Sequence, residues 1–408
     1  MERNGAPELW EVRLSSDPET FRNEVREFLD RALTPAMRQA PRTIMLLDVD
    51  MQQAWHRRLA EQGWAVPDWP VKHGGAGWSR EQLTIFDEEL VAASAPPLSP
   101  NLQMIGPVLI AFGTPDQQER HIPPLRSGEV LWCQGYSEPS AGSDLAALRT
   151  RAIREGDDYV LNGQKIWTSY AHTADWMFCL VRTSTEGKPQ AGISFLLVDM
   201  KTLGITVRPI WSIDGLHHLN EVFFNDVRVP VANRVGAEND GWTVAKYLLQ
   251  HERNGVAGTA YLRMRLGKVR DVARQSPDDA GDETMLADPA FARRMAQVEI
   301  DLLALECLVA RAESAPNTAV ARRMSSILKL RGSEIEQAIS ELGWLALGSV
   351  GRLDQSRTLE DPAHDRLGPE GGPEVMLSYL LGRAATIYGG SSEVQRGIIF
   401  KQLRQHGV

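Results

Sequence analysis

Cysteine is scarce in this 408-residue chain: Cys133, Cys179 and Cys307 are scattered, and none has CxxC spacing. An odd, dispersed set supports neither a disulfide framework nor a zinc site, and it fits a reducing compartment. Long apolar runs are missing as well. No stretch reaches the ~18 residues of a membrane helix, and the first residues, MERNGAPELWEVRLSSDPE, hold no signal-peptide core, so the expectation is a cytoplasmic protein with no membrane partner. Basic charge is in deficit, with 44 Lys and Arg against 53 Asp and Glu and a net charge of −9. Without a basic tract or a basic stripe interleaved with aromatics, no nucleic-acid partner is expected. What the chain does have is 43% hydrophobic residues, enough for two or three domains at roughly 100 to 200 residues each.

Three regions differ in the period of their apolar residues. Over 17–128 the spacing is helical, with Phe21, Val25, Phe28 and Leu29, then Met51, Trp55 and Leu59 ending at Gly63. Ser79 and Gln82 have capping-box spacing and open another helix through Leu83, Phe86 and Leu90. Over 130–235 short β-rich runs replace this pattern: YVLNGQKIWTS, WMFCLVRTS, GISFLLVDM, GITVRPI and EVFFNDVRVP. Asn162-Gly163 is the strongest hairpin signal among them. From residue 241 helical patterns return over 241–266, 289–314 and 318–347 and in the final runs, separated by polar loops at 276–289 and 351–372. The reading is a mixed α and β chain: an N-terminal helical domain over 1–130, a small barrel or sandwich over 131–235, and a C-terminal bundle of four or more helices over 236–408.

One acid stands out in the first helix of that last region, KYLLQHERNGVAGTAYL. Leu248, Glu252, Val256 and Ala260 share a face at i, i+4 spacing, and the neighbours of Glu252 at three and four residues are Leu248, Leu249, Gly255 and Val256. None is a cation, so an intrahelical ion pair is excluded, although a partner from another helix stays open. A carboxylate desolvated by aliphatic neighbours is pushed toward the range of a working general base. Near the C-terminus, IYGGSSEVQRG sets Gly389 and Gly390 before Ser391, Ser392 and Glu393. Bare glycines there allow a close backbone approach or positive φ, and the same residues also read as a helix end followed by a helix cap.

The stretches QGYSEPSAGSDLAALRTRA (134–152) and GDDYVLNGQKIWTS (156–169), with the terminal IYGGSSEVQRGII, resemble the acyl-CoA dehydrogenase family over nearly the whole chain. The resemblance implies a helical domain, a β-barrel and a helical bundle, with FAD as cofactor and an acyl-CoA as substrate. It implies that Gln134, Tyr136 and Ser137 meet the isoalloxazine edge, and that Gly142 and Ser143 approach the cofactor phosphates and the acyl-CoA. Trp167 matches the tryptophan flanking the flavin, Thr168 follows it, and Ser169 stands where most members carry Thr. Ser391 and Glu393 match further FAD contacts, while Arg253, Tyr388 and Gly390 fall beside the substrate.

Most members place the catalytic Glu immediately before the glycine of IYxG, where this chain has Gly389. Long-chain and isovaleryl members instead carry the base on the bundle helix in a Glu-Arg pair, the position of Glu252-Arg253. The resemblance then gives Gly389 a different role, its N–H bonding the thioester carbonyl in an oxyanion-hole arrangement. Two departures affect FAD binding. The polar loop at 277–282 replaces an Arg and Phe-Gly motif, and Leu345 stands where a Gln is expected. Both resemble the paired-subunit bacterial enzymes, so a related second dehydrogenase subunit in a heterotetramer is expected to supply the missing contacts. The implied activity is α,β-dehydrogenation to a trans-2-enoyl-CoA, with electrons passing to an electron-transfer flavoprotein and with fatty or steroid side chains as candidate acyl groups. A flavin oxidase or monooxygenase on the same scaffold, and a noncatalytic partner subunit, are the alternatives.

Overall fold

The computed structural model describes residues 17–40, 47–256, 258–278, 281, 283–314, 318–353, 355 and 367–405; the side chains of 250–256, 313, 318–323 and 405 lie outside this description. Helices α1 (Pro18–Ala32), α2 (Pro35–Gln39), α3 (Val49–Glu61), α4 (Arg80–Ala92), α5 (Pro100–Phe112) and α6 (Pro115–Ser127) come first. Their starts follow from capping chemistry. The side chains of Asp17, Asp48, Ser79 and Thr114 each accept a hydrogen bond from the N–H three residues on, which satisfies a donor that has no partner inside the helix. Ser79 and Gln82 close the full capping box, as do Thr114 and Gln117. The apolar face of α1 (Phe21, Val25, Phe28, Leu29) packs on Trp55 and Leu59 of α3 and on Trp64, Trp78 and Phe86.

Strands β1 (Trp132–Gly135), β2 (Arg151–Glu155), β3 (Asp158–Lys165), β4 (Trp176–Arg182), β5 (Ile193–Asp199), β6 (Ile205–Trp211), β7 (His217–Pro230) and β8 (Arg234–Val235) form one sheet. The order is β6-β7-β3-β2-β4-β5-β8, with β1 parallel to β4. Alternation along β4 and β5 divides the core in two. Phe178, Leu180, Phe195 and Leu197 face α5, α6 and the helix that follows the sheet. Met177, Cys179, Val181, Leu196 and Val198 face the opposite way, against Tyr159, Leu161, Val222 and Phe224, and the sheet curls around this second core. Burial on both faces explains why β4 and β5 read as continuous apolar runs.

Asn162-Gly163 is not a hairpin turn. It lies inside β3 at a register shift against β7, and the hairpin between β2 and β3 turns instead at Gly156-Asp157. A bulge and a tight turn draw on the same residue types, so local sequence cannot separate them. Gly163 has φ +152°, and a Cβ there would lie 2.6 Å from Thr150 Cα, so the glycine lets β3 close on the segment entering β2.

The last region holds α7 (Gly241–Val256), α8 (Thr259–Gln275), α9 (Pro289–Glu313), α10 (Thr318–Leu347), α11 (Gly372–Leu381) and α12 (Ser392–Gln405). The expected single helix over 241–266 is therefore two. Gly258 caps α8 with ψ 81°, and glycines at 255 and 258 each remove about 1 kcal/mol of helix propensity at the break. Leu266, Val269, Leu302, Leu305, Ile335, Ile339 and Leu342 form the bundle core of α8, α9 and α10. Among the described residues, no helix is long and apolar enough to cross a membrane.

Candidate active site

Trp167 is 57% exposed and has φ +60°, the left-handed region that a bulky side chain rarely enters. Its neighbours hold it there. Ile166 N–H donates to the Ser137 carbonyl at 2.9 Å, Thr168 N–H to the Asn220 carbonyl at 3.0 Å, and Tyr170 N–H to the His218 carbonyl at 2.9 Å. Tyr170 is also left-handed, with φ +59°. Strain of this kind persists when surrounding structure over-determines it, and it concentrates at ligand sites. Asn220, fully buried on β7, donates its side-chain amide to the Thr168 carbonyl at 3.0 Å and to His172 Nδ1 at 3.1 Å, and accepts from His217 Nε2 at 2.9 Å. Thr168 is itself buried, and its hydroxyl has no hydrogen-bond partner among the described residues, while Ser169 is half-buried.

The segment 134–143 lies against this wall. Gln134 ends its side chain 4.0 Å from Met104 Sδ on α5, and the Tyr136 ring packs edge-on to Phe178 and Phe195. The Tyr136 ring therefore belongs to the core, and the carbonyls of Tyr136 and Ser137 accept from Lys165 Nζ and from the Ile166 N–H. Glu138 and Ala141 exchange two backbone hydrogen bonds, closing a turn with Pro139 at its second position. Gly142 and Ser143 follow on the surface, and a Cβ on Gly142 would meet no atom within 4 Å.

The terminal turn is built from glycine conformations. Gly389 and Gly390 have φ +63° and +92°, and the fully buried Gln395 donates to both of their carbonyls, at 3.4 and 3.3 Å. Ser391 Oγ accepts from the Val394 N–H at 3.4 Å and starts α12. Glu393, exposed in the first turn of α12, is held below the usual carboxylate range by its own backbone N–H and by the Ser391 hydroxyl. Tyr388 is half-exposed beside the glycines. Lys329, buried on α10, donates to the Ala385 carbonyl at 2.9 Å and ties the turn to the bundle.

Glu252 and Arg253 lie on α7, with side chains outside the described residues. The turn before them is well placed: Val244, Ala245 and Leu248 are buried in the same cluster as Tyr136 and Ala141, with Leu249 packed against it. The helix carrying the candidate base thus shares an apolar cluster with the segment carrying the candidate flavin contacts, and α7 packs on α5, β5 and α10, the last of which anchors the glycine turn. Sequence reading missed Asn220, Glu138 and Lys165, buried polar residues whose partners are distant in sequence, and Gln395, whose partners are the carbonyls of the nearby Gly389 and Gly390.

The arrangement is a helical region, a single sheet and a second helical region. The acyl-CoA dehydrogenase N-terminal, middle and C-terminal domain models match residues 15–129, 133–227 and 239–404. The chain belongs to the acyl-CoA dehydrogenase family, whose members generally bind FAD. It is 38% identical over 356 residues to acyl-CoA dehydrogenase IpdE1 of Mycobacterium tuberculosis, covering 86% of this chain and 87% of that protein. It is 33% identical to acyl-CoA dehydrogenase FadE26 of the same organism, covering 95% and 97%. Among solved structures, a steroid ACAD, Tcur3481-Tcur3483, aligns with a TM-score of 0.79 at 27% identity over 98% of this chain and 99% of that one. The ChsE4-ChsE5 complex of Mycobacterium tuberculosis aligns with 0.76 at 29% identity, over 98% and 99%.

The residues present fit the cofactor. Trp167 presents an exposed indole on a strained backbone, and Gly142 has open space where a side chain would stand, both suited to a flat, hydrogen-bonding group that packs against protein. Among the described residues no group of three or more His, Cys, Asp and Glu is arranged to hold a metal.

Proposed function

We propose that this chain is an FAD-dependent acyl-CoA dehydrogenase that converts an acyl-CoA thioester to the trans-2-enoyl-CoA with Glu252 as the base. The observation that carries the reading is the shared apolar cluster: Leu248, one turn before Glu252, is buried in the same cluster as Tyr136 and Ala141 of the segment expected to meet the flavin. When bound, FAD supplies the acceptor, at N5, for the hydrogen leaving the β-carbon as hydride.

The chain's own residues do the rest. Glu252 takes the α-proton, and its aliphatic neighbours in sequence at three and four residues, Leu248, Leu249 and Val256, favour a carboxyl able to hold that proton afterwards. The N–H of Gly389 donates to the thioester carbonyl and stabilises the negative charge that develops there as the proton leaves. The absence of a side chain at 389 frees the wall opposite Glu252. Gln395 keeps the turn in place by binding the two glycine carbonyls. Trp167 would flank the flavin, and Gln134, Ser137, Ser169, Ser391 and Glu393 would supply polar contacts to it. Gly142 and Ser143 would take the phosphates, and Arg253, Tyr388 and Gly390 would border the substrate.

The acyl group we propose is bulky, as a steroid side chain is, because a related solved structure is that of a steroid ACAD and Gly389 leaves room. A related second chain completes the adenosine side of the FAD site, and an electron-transfer flavoprotein accepts the electrons. Anaerobic titration of the purified flavoprotein with acyl-CoAs of increasing bulk tests this. Bleaching of the flavin by a bulky thioester, followed by slow reoxidation in air, is expected. No bleaching by any thioester, or rapid peroxide formation on admitting oxygen, would overturn it.

A further inference from the structure

Lys165, the last residue of β3, has no solvent exposure, and Glu138 is 6% exposed. Lys165 Nζ donates to Glu138 Oε1 at 2.8 Å and to the Tyr136 carbonyl at 3.1 Å. The same carboxylate accepts the backbone N–H groups of Arg149 and Thr150, at 2.6 and 2.8 Å. Burial pushes the Glu138 carboxyl up, but Lys165, Thr150 and the Arg149 N–H outweigh it and hold the group below the usual carboxylate range. A buried ion pair is a poor device for stability, since apolar residues of similar volume often do as well. What this pair joins is more informative.

Three adjacent links cross between the same two segments: Lys165 to Tyr136, Lys165 to Glu138, and Ile166 to Ser137. One residue further along lies Trp167, whose left-handed backbone needs fixed anchors on both sides. Asn220 supplies the anchor at Thr168, and the Ile166 link to Ser137, next to the Lys165–Glu138 contact, supplies the one before Trp167. The Glu138 turn also leads directly into the open Gly142 and Ser143.

We infer that Glu138 and Lys165 are positioning residues for the flavin: their buried contact makes segments 134–138 and 165–169 one rigid wall and sets Trp167 and the backbone of 136–137 before the cofactor arrives. The inference rests on the reading that those segments face FAD. A pre-built wall binds its ligand without spending affinity on ordering it.

The test uses the full-length protein with any subunit that co-purifies, as wild type, Glu138→Gln, Lys165→Met, the double variant and Glu138→Asp. Flavin per protomer, the Kd for FAD on reconstituting stripped protein, the visible circular dichroism of bound flavin and the Tm are measured. Each single variant is expected to bind FAD at least about tenfold more weakly, the usual scale for losing a residue that orients a binding group, with an altered visible signal. Glu138→Asp recovers part of the affinity. Should the single variants fail to fold, the double variant, which leaves no buried charge unpaired, carries the comparison. Hydrogen exchange on the stripped wild type adds an independent arm, in which the amides of Arg149, Thr150 and Ile166 are expected to be protected. Folded variants that bind FAD with wild-type affinity and spectrum, or amides protected only after FAD is added, overturn the inference alone. A folded wild type that takes up no flavin overturns the proposed function and this inference with it.

Discussion

Replacing Gly163 by Ala tests how closely β3 approaches the segment that holds Glu138. The new Cβ would lie 2.6 Å from Thr150 Cα and 2.7 Å from Thr150 Oγ1, inside any normal carbon contact. Thr150 cannot move freely, because its N–H bonds Glu138 at 2.8 Å and its carbonyl accepts from Arg182 N–H at 2.7 Å. Overpacking of this kind costs about 1–3 kcal/mol. Holding an alanine at φ +152° adds a further strain of about 1–3 kcal/mol. Gly156→Ala is the matched control: its φ is +63°, but its Cβ would meet nothing within 4 Å, so only the left-handed penalty of about 1–2 kcal/mol applies. At roughly 2–4 °C per kcal/mol for a domain of this size class, Gly163→Ala should melt several degrees below Gly156→Ala. Thermal unfolding followed by circular dichroism gives the comparison, and FAD affinity measured alongside should fall for the first variant alone. Equal Tm values for the two variants would refute the close approach and the argument built on it.

Other substitutions separate stability from chemistry. Asn220→Ala removes an amide that serves Thr168, His172 and His217, and should destabilise the protein by about 1–3 kcal/mol in urea unfolding, the cost of leaving buried polar groups unsatisfied. Gln395→Leu strips the donors from the Gly389 and Gly390 carbonyls; turnover should fall more than flavin content, as steady-state rates and absorbance on one sample will show. For Asp214, burial pushes the carboxyl up, but His218, Ser212 and the Leu216 N–H outweigh it and hold it low. A depressed folded pKa contributes stability above the unfolded value of about 3.9 that disappears as pH falls through the folded value, so the Tm gap between wild type and Asp214→Asn should close on acidification below about pH 4.

Local chemistry made much of the fold legible. The Ser79–Gln82 box, the Phe21–Leu29 stripe and the apolar runs of β4 and β5 are each specified within a few residues, and each appears in the structure. β2 escaped notice because four of its five residues are exposed and only Ala152 faces the core, which leaves little apolar signal. Asn162-Gly163 was misread for a related reason: the pair serves a bulge, with Asn162 bonded across to Asp226, and a bulge looks like a turn until the partner strand is known. The site divides the same way. Its motifs were visible as contiguous strings, whereas Glu138 with Lys165 and Thr168 with Asn220 are 27 and 52 residues apart, and a buried polar residue carries no mark of its partner.

The role of Glu252 is tested most directly by α-hydrogen exchange. The flavin-loaded protein is incubated in D2O with an acyl-CoA whose β-carbon carries no hydrogen, so that proton removal can be followed without oxidation, and deuterium at the α-carbon is read by mass spectrometry. Wild type should wash deuterium into the α-position, and Glu252→Gln should lose about 100-fold or more of that rate while keeping its FAD, the scale of a missing general base. Undiminished exchange in Glu252→Gln would contradict the account.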